Sequence, residues 1–219
     1  MIVEQYKFIN IHIKKCGGSS LASAFQGEFQ THATFLQYVE KLGPSIVDYF
    51  VWSVVRNPWD RMVSLFHYQK QNVNQIHTDD FKRFLEDIYV SHFYKTSKDY
   101  HYEWKPQISY LCDHEGHLAL DYLCYLPNIH EDFDKVKKVL QIPKSVIYPH
   151  TNKSKHENYK NYYTPLTKNY VAKLFQKEIE MFEFDFDDVS RFKYPIKELE
   201  SDCKQKGWRE RLHSKFVNS

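Results

Sequence analysis

Two rhythms of apolar positions run along this chain. Phe8, Ile9, Ile11 and Ile13 crowd into one short stretch and are mostly β-branched, the pattern of a strand buried in a covered sheet. Residues 49–55 repeat it with Tyr49, Phe50, Val51, Trp52, Val54 and Val55, and residues 117–125 read as a further strand. Elsewhere the period is helical. Phe35, Tyr38, Val39 and Leu42 recur at helical spacing, with Thr34 placed as N-cap and Gly43-Pro44 as the stop. Pro58 suits the first turn of a helix that follows the second strand. Asp79 or Asp80 caps a helix striped by Phe81, Phe84, Leu85 and Ile88, and Asn128 caps another whose acidic start and basic end suit the helix dipole. A last stripe, Val171, Leu174, Phe175, Ile179 and Phe182, follows a start at Thr164 or Pro165.

The chemistry concentrates where the strands stop. Gly17 and Gly18 allow positive φ and unobstructed amides, Ser19 and Ser20 are placed to cap the helix that begins at Leu21, and Lys15 stands beside them. Such a turn favours a phosphate or sulfate, although an ordinary strand-to-helix turn has the same look. Its lysine precedes the glycines, unlike the GxxxxGK[ST] order of a nucleoside-triphosphate loop. Arg56 ends the second strand, and Ser64 lies about two helical turns beyond it. If the two strands are parallel, Lys15 and Arg56 face one crevice at the carboxyl edge of the sheet. The guanidinium fork pairs with two phosphate oxygens; the plainer reading is a helix-start salt bridge from Arg56 to Asp60. His32 stands in the approach to a helix, where an imidazole is able to project into a cleft, though a histidine is more often structural or solvated.

Composition narrows the field. The 219 residues suit one domain, or one domain with an extension, and 42% apolar with 17% aromatic residues is too much for a disordered chain. A net charge of +2 is too small for a general nucleic-acid binder, so anion affinity has to be local. No stretch approaches the ~20 apolar residues of a membrane span, and residues 1–7 lack the features of a signal peptide. Cysteines at 16, 112, 124 and 203 form no CxxC pair, which fits a reducing compartment and predicts a soluble, cytoplasmic protein. Cys112, His114, His117 and Cys124 match no common zinc spacing. Residues 89–102 and 149–165 read as polar, tyrosine-rich loops, and the tail 187–219 is charged around Trp208.

Ile11-His12-Ile13-Lys14-Lys15-Cys16-Gly17-Gly18-Ser19-Ser20 resembles the 5′-phosphosulfate loop of sulfotransferases that use 3′-phosphoadenosine 5′-phosphosulfate (PAPS). Lys14 stands where that family has Pro, and Cys16 where it has Thr. Arg56-Asn57-Pro58-Trp59-Asp60-Arg61-Met62-Val63-Ser64 resembles its 3′-phosphate motif, and His32 with the following helix resembles an element whose histidine is the general base in the heparan sulfate 2-O group. Gln107, Tyr110 and Leu111 match a Gln-x-x-Tyr-Leu element, and Pro149-His150-Thr151-Asn152-Lys153-Ser154 matches a loop that closes over the nucleotide. Leu126-Pro127-Asn128 replaces the Arg-Phe-Glu usual in bacterial relatives.

The resemblance implies an α/β fold, a central parallel sheet flanked by helices similar to nucleotide kinases, with residues 1–186 as the sulfotransferase domain. Residues 187–219 would be an extension packing on it or contacting a partner. It implies PAPS as donor, 3′-phosphoadenosine 5′-phosphate (PAP) as product and no metal. Lys15, Gly17, Gly18, Ser19, Ser20, Arg56, Ser64, Lys153 and Ser154 would hold the nucleotide, with His32 and Lys15 catalytic. The acceptor would be a hydroxyl, foremost on a carbohydrate; no nucleic acid is expected, and peripheral contact with a membrane stays open. The rivals are a nucleotide-dependent kinase and a non-catalytic nucleotide-binding protein.

Overall fold

Four β-branched or aromatic stretches pair into one sheet because each is too apolar to face water. The computed structural model describes residues 1–25, 32–71, 78–94, 104–148, 157–193 and 206–217. Within it β1 (Ile2–Val3), β2 (Phe8–Ile11), β3 (Phe50–Val55) and β4 (Tyr122–Tyr125) lie in the order β1-β2-β3-β4. The pairs β2–β3 and β3–β4 are parallel, while β1 adds an antiparallel edge that the sequence pattern had not indicated. Every residue of β2 and β3 is buried, as strands covered on both faces require. Ile11 pairs with Ser53 and Val55 with Tyr125, so the strands end at one edge of the sheet. The third strand is shorter than its pattern: within 117–121, Leu118 makes only an isolated bridge to Cys112, and Asp121 turns its carboxylate onto the Val51 amide at 2.8 Å.

The chain divides into two compact units. One comprises Met1–Val55, Gln107–Asn152 and Tyr194–Ser219; the other comprises Arg56–Pro106 and Lys153–Lys193. The first holds the sheet with α1 (Gly18–Ala24), α2 (Phe35–Leu42), α5 (Ile108–Leu111), α6 (Ile129–Val139) and α9 (Lys206–Val217). Trp52 on β3 stacks on Phe133 of α6 with centroids 6.0 Å apart and meets Phe8 of β2 edge-on at 5.9 Å. Thr34 forms a capping box with Gln37 at the start of α2, and Gly43 is its C-cap. Asn128 precedes α6 without a side-chain cap bond, so there the acidic first turn of Glu131 and Asp132 answers the dipole instead.

In this unit α9 is pinned by charge. Asp121 is buried, and Arg209 grips both of its oxygens while also donating to the Val47 and Tyr49 carbonyls at 3.1 and 2.8 Å. Trp208 lies edge-on to Phe35 of α2 at 5.3 Å.

The second unit is helical: α3 (Pro58–Gln71), α4 (Phe81–Tyr94), α7 (Pro165–Leu174) and α8 (Gln176–Phe182). Its core is a cluster of rings, Phe66 with Phe81 and Phe84 at 5.4 and 5.5 Å, beside a buried Arg61 that donates to the Lys105 carbonyl at 3.0 Å. Asp80 caps α4 through the Lys82 amide at 2.8 Å, and Thr164 forms a capping box with Thr167 on α7. No helix among the described residues is long and apolar enough to cross a membrane.

Candidate active site

The turn after β2 departs from the path that ordinary residues prefer. Lys15 has φ 67° and Gly17 φ 82°, two left-handed residues within three positions. For a lysine that conformation costs on the order of 1 kcal/mol, so the fold holds it there. The Cys16 amide reaches back to the Ile13 carbonyl at 3.2 Å, closing the turn. Gly17, and neither of the serines, is the N-cap of α1, and a glycine has no side chain with which to cap the first amides. The serines fall inside the helix, where Ser20 is buried and Ser19 is exposed.

Both glycines are required by close neighbours. The Tyr148 hydroxyl donates to the Gly17 carbonyl at 2.5 Å, and a Cβ on Gly17 would collide with that hydroxyl and with Leu126. A Cβ on Gly18 would run into the imidazole of His12. Cys16 faces inward: its thiol donates to the Oε1 of the fully buried Gln107 at 3.3 Å. The residue that replaces the family threonine therefore ties the loop to the Gln107-Tyr110-Leu111 element. Burial lowers the pKa of Lys14, which stands at the family proline position.

His32 reaches this loop through His12. Its Nδ1 lies 3.3 Å from the His12 carbonyl, and the two rings are 4.6 Å apart. A carbonyl oxygen only accepts, so Nδ1 carries the proton and Nε2 keeps the lone pair that a general base needs. The pKa of His12 itself is lowered to about 3, first by burial and then by the charges of His32, the amino terminus and Lys14, so that ring is neutral at physiological pH.

In the second unit Arg56 follows directly on the end of β3 in sequence. Its Nε and Nη2 donate to the two oxygens of Asp60 at 2.6 and 2.8 Å, a fork-to-fork pair on the first turn of α3. The helix-start salt bridge is thus real, and it fixes the plane of the guanidinium. Asn57 caps α3, accepting from the Trp59 amide at 3.1 Å, and donates to the Asp185 carbonyl at 2.7 Å. Ser64 is buried on the second turn of α3. Lys153 and Ser154 lie outside the described residues.

The structure thus gathers Lys15, Gly17, Gly18, Ser19, Ser20 and His32 in the first unit and sets Arg56 and Ser64 on one helix start of the second. The sequence reading gave no role to His12, Gln107 or Tyr148. All three stood in or beside quoted motifs; spacing alone could not show which way their side chains turn. Among the described residues no group of three or more His, Cys, Asp or Glu side chains is arranged to hold a metal.

Residues 1–185 match the model of the sulfotransferase family. The chain belongs to this family of PAPS-dependent enzymes. The fold of this sulfotransferase also resembles that of mouse sulfotransferase SULT7A1 complexed with PAP, with TM-score 0.52 and 14% identity over 100% of this chain and 91% of that one. No curated protein sequence matches it. The kinase alternative falls with the family match, in agreement with the position of Lys15 before the glycines.

Proposed function

We propose that this sulfotransferase moves the sulfuryl group of PAPS to a hydroxyl of a carbohydrate. The observation that carries the reading is the pairing of a turn whose N-cap is Gly17 with a histidine whose Nδ1 faces the His12 carbonyl, which puts the ring's lone pair on Nε2. PAPS, when bound, supplies an activated sulfur and a phosphate leaving group. Lys15 and the amides of Gly17, Gly18, Ser19 and Ser20 would hold the 5′-phosphosulfate, while Arg56 and Ser64 would hold the 3′-phosphate with Lys153 and Ser154 closing over the nucleotide. The residues fit that load: the donors are cationic, hydroxyl or amide N–H groups, and the glycines let the His12 ring and the Tyr148 hydroxyl close onto the turn. Asp60 presets Arg56 for a second anion, at the expense of part of its charge.

His32 Nε2 would take the acceptor's hydroxyl proton as the oxygen–sulfur bond forms and the bond from sulfur to the leaving phosphate oxygen breaks. Lys15 and the turn amides would offset the negative charge gathering on that oxygen. Positioning and electrostatics then supply most of the catalysis. The carbohydrate assignment is supported by the likeness of the His32 element to carbohydrate sulfotransferases. It is also supported by aromatic rings at the end of α4, where Phe93 and Tyr94 are 46% and 72% exposed and Tyr89 stacks on Tyr170 at 4.4 Å; flat apolar rings of this kind pack on sugar faces. We read residues 187–219 as an extension of the same domain, since Arg209 and Trp208 dock α9 on Asp121 and Phe35.

Two measurements test the proposal. Calorimetric titration should show PAP preferred over ATP and AMP, with the preference lost in Arg56→Ala. Radiolabelled sulfate from PAPS should pass to oligosaccharides or simple glycosides in preference to a phenol or a tyrosine peptide. Label transferred only to the phenol or the peptide would overturn the carbohydrate assignment.

A further inference from the structure

We propose that His12 is a positioning residue that links occupancy of the phosphosulfate turn to the posture of the base His32. The inference rests on the reading of the turn and of His32 given above. His12 follows Ile11, the last residue of β2, and touches both partners. Its ring covers Gly18 so closely that even a methyl group at position 18 has no room. That ring stands 4.6 Å from the His32 ring, and its backbone carbonyl receives His32 Nδ1 at 3.3 Å. A displacement of Gly18 on anion binding would press on the His12 ring and, through the ring–ring packing, on His32. The Nδ1–H bond keeps the His32 lone pair at Nε2 throughout.

The charged groups facing His12 are the amino terminus, Lys14 and His32. A proton on the His12 ring would oppose the imidazolium that His32 becomes. Burial keeps the ring neutral, and its flat face then lies beside the forming cation. A second histidine thus serves the base without sharing its proton.

The test uses the full chain with ¹⁵N-labelled histidine, following ring signals from pH 4 to 9 with and without PAP, beside calorimetry. In the wild type, PAP should shift the His12 and His32 signals along one binding curve, and His32 should keep its Nδ1–H tautomer. His12→Leu removes the planar face; the pH titration of the His32 ring should change, and its response to PAP should shrink at least about twofold while PAP affinity stays within about threefold. His12→Asn, planar and neutral, should restore most of the wild-type response. A His12 signal that does not move at saturating PAP overturns the inference even if no variant folds, as does a His32 that titrates and responds alike in wild type and His12→Leu. Without PAP binding in calorimetry the proposed donor falls and the inference with it; with PAP bound and His12 silent, the inference alone falls.

Discussion

His32 faces the His12 backbone carbonyl through Nδ1, and its chemistry depends on which ring nitrogen carries the proton. His32→Ala is expected to lower turnover by about a hundredfold or more while PAP affinity is largely kept, measured by sulfate transfer beside calorimetry. Unchanged turnover would remove His32 from the mechanism. Gly18→Ala has a different failure: its methyl meets the His12 ring, so the turn has to shift, and PAP affinity should fall about tenfold or more. That position 18 calls for a glycine was legible in the pattern of the turn. That it serves close approach to a histidine was not, because the contact depends on the χ angles of His12.

At the scale of the elements, three of the expected caps were legible, those at Ser19, Ser20 and Asn128 were not borne out, and the clamps could not be read at all. Thr34, Asp80 and Thr164 cap helices because a short hydroxyl or carboxylate before an apolar period has few other uses. Asn57 caps α3 directly after Arg56, so Asn57→Ala should cost about 1–2 kcal/mol in denaturant unfolding and loosen the turn that carries Arg56. The Arg209–Asp121 pair joins residues 88 apart in sequence, and nothing near either residue announces it. Arg209→Ala leaves a carboxylate buried with its principal cation gone, which should cost about 3–5 kcal/mol; a loss under about 1 kcal/mol would show that α9 is not held by this pair. The short third strand has the same origin: Asp121 is used as an acceptor for Val51 and Arg209, and the ladder begins only at Tyr122.

For the whole molecule, ligand and proton both act on stability. PAP at about a hundred times its dissociation constant should raise stability by about 2.7 kcal/mol, read as a rise in Tm that Arg56→Ala reduces. Acid should act through His12. The pKa of its ring is about 3 folded and near 6.5 in the unfolded chain, so between those values the unfolded state binds more protons. The contribution is intact above about pH 6.5 and lost progressively as pH falls toward 3. His12→Asn should flatten the Tm profile across that window, whereas an unchanged profile would place the acid sensitivity elsewhere.

By itself the sequence determined which strands are central, where most helices start, and which family the chain belongs to, because these follow from local periods, caps and residue order. Only the tertiary structure decided that Cys16 turns inward to Gln107, that Arg56 is already forked onto Asp60, that Tyr148 holds Gly17, and that His12 stands against both Gly18 and His32. Apart from the Arg56 pair and the His12–Gly18 approach these contacts join residues far apart in sequence, and each depends on side-chain direction after packing, which a one-dimensional period does not carry.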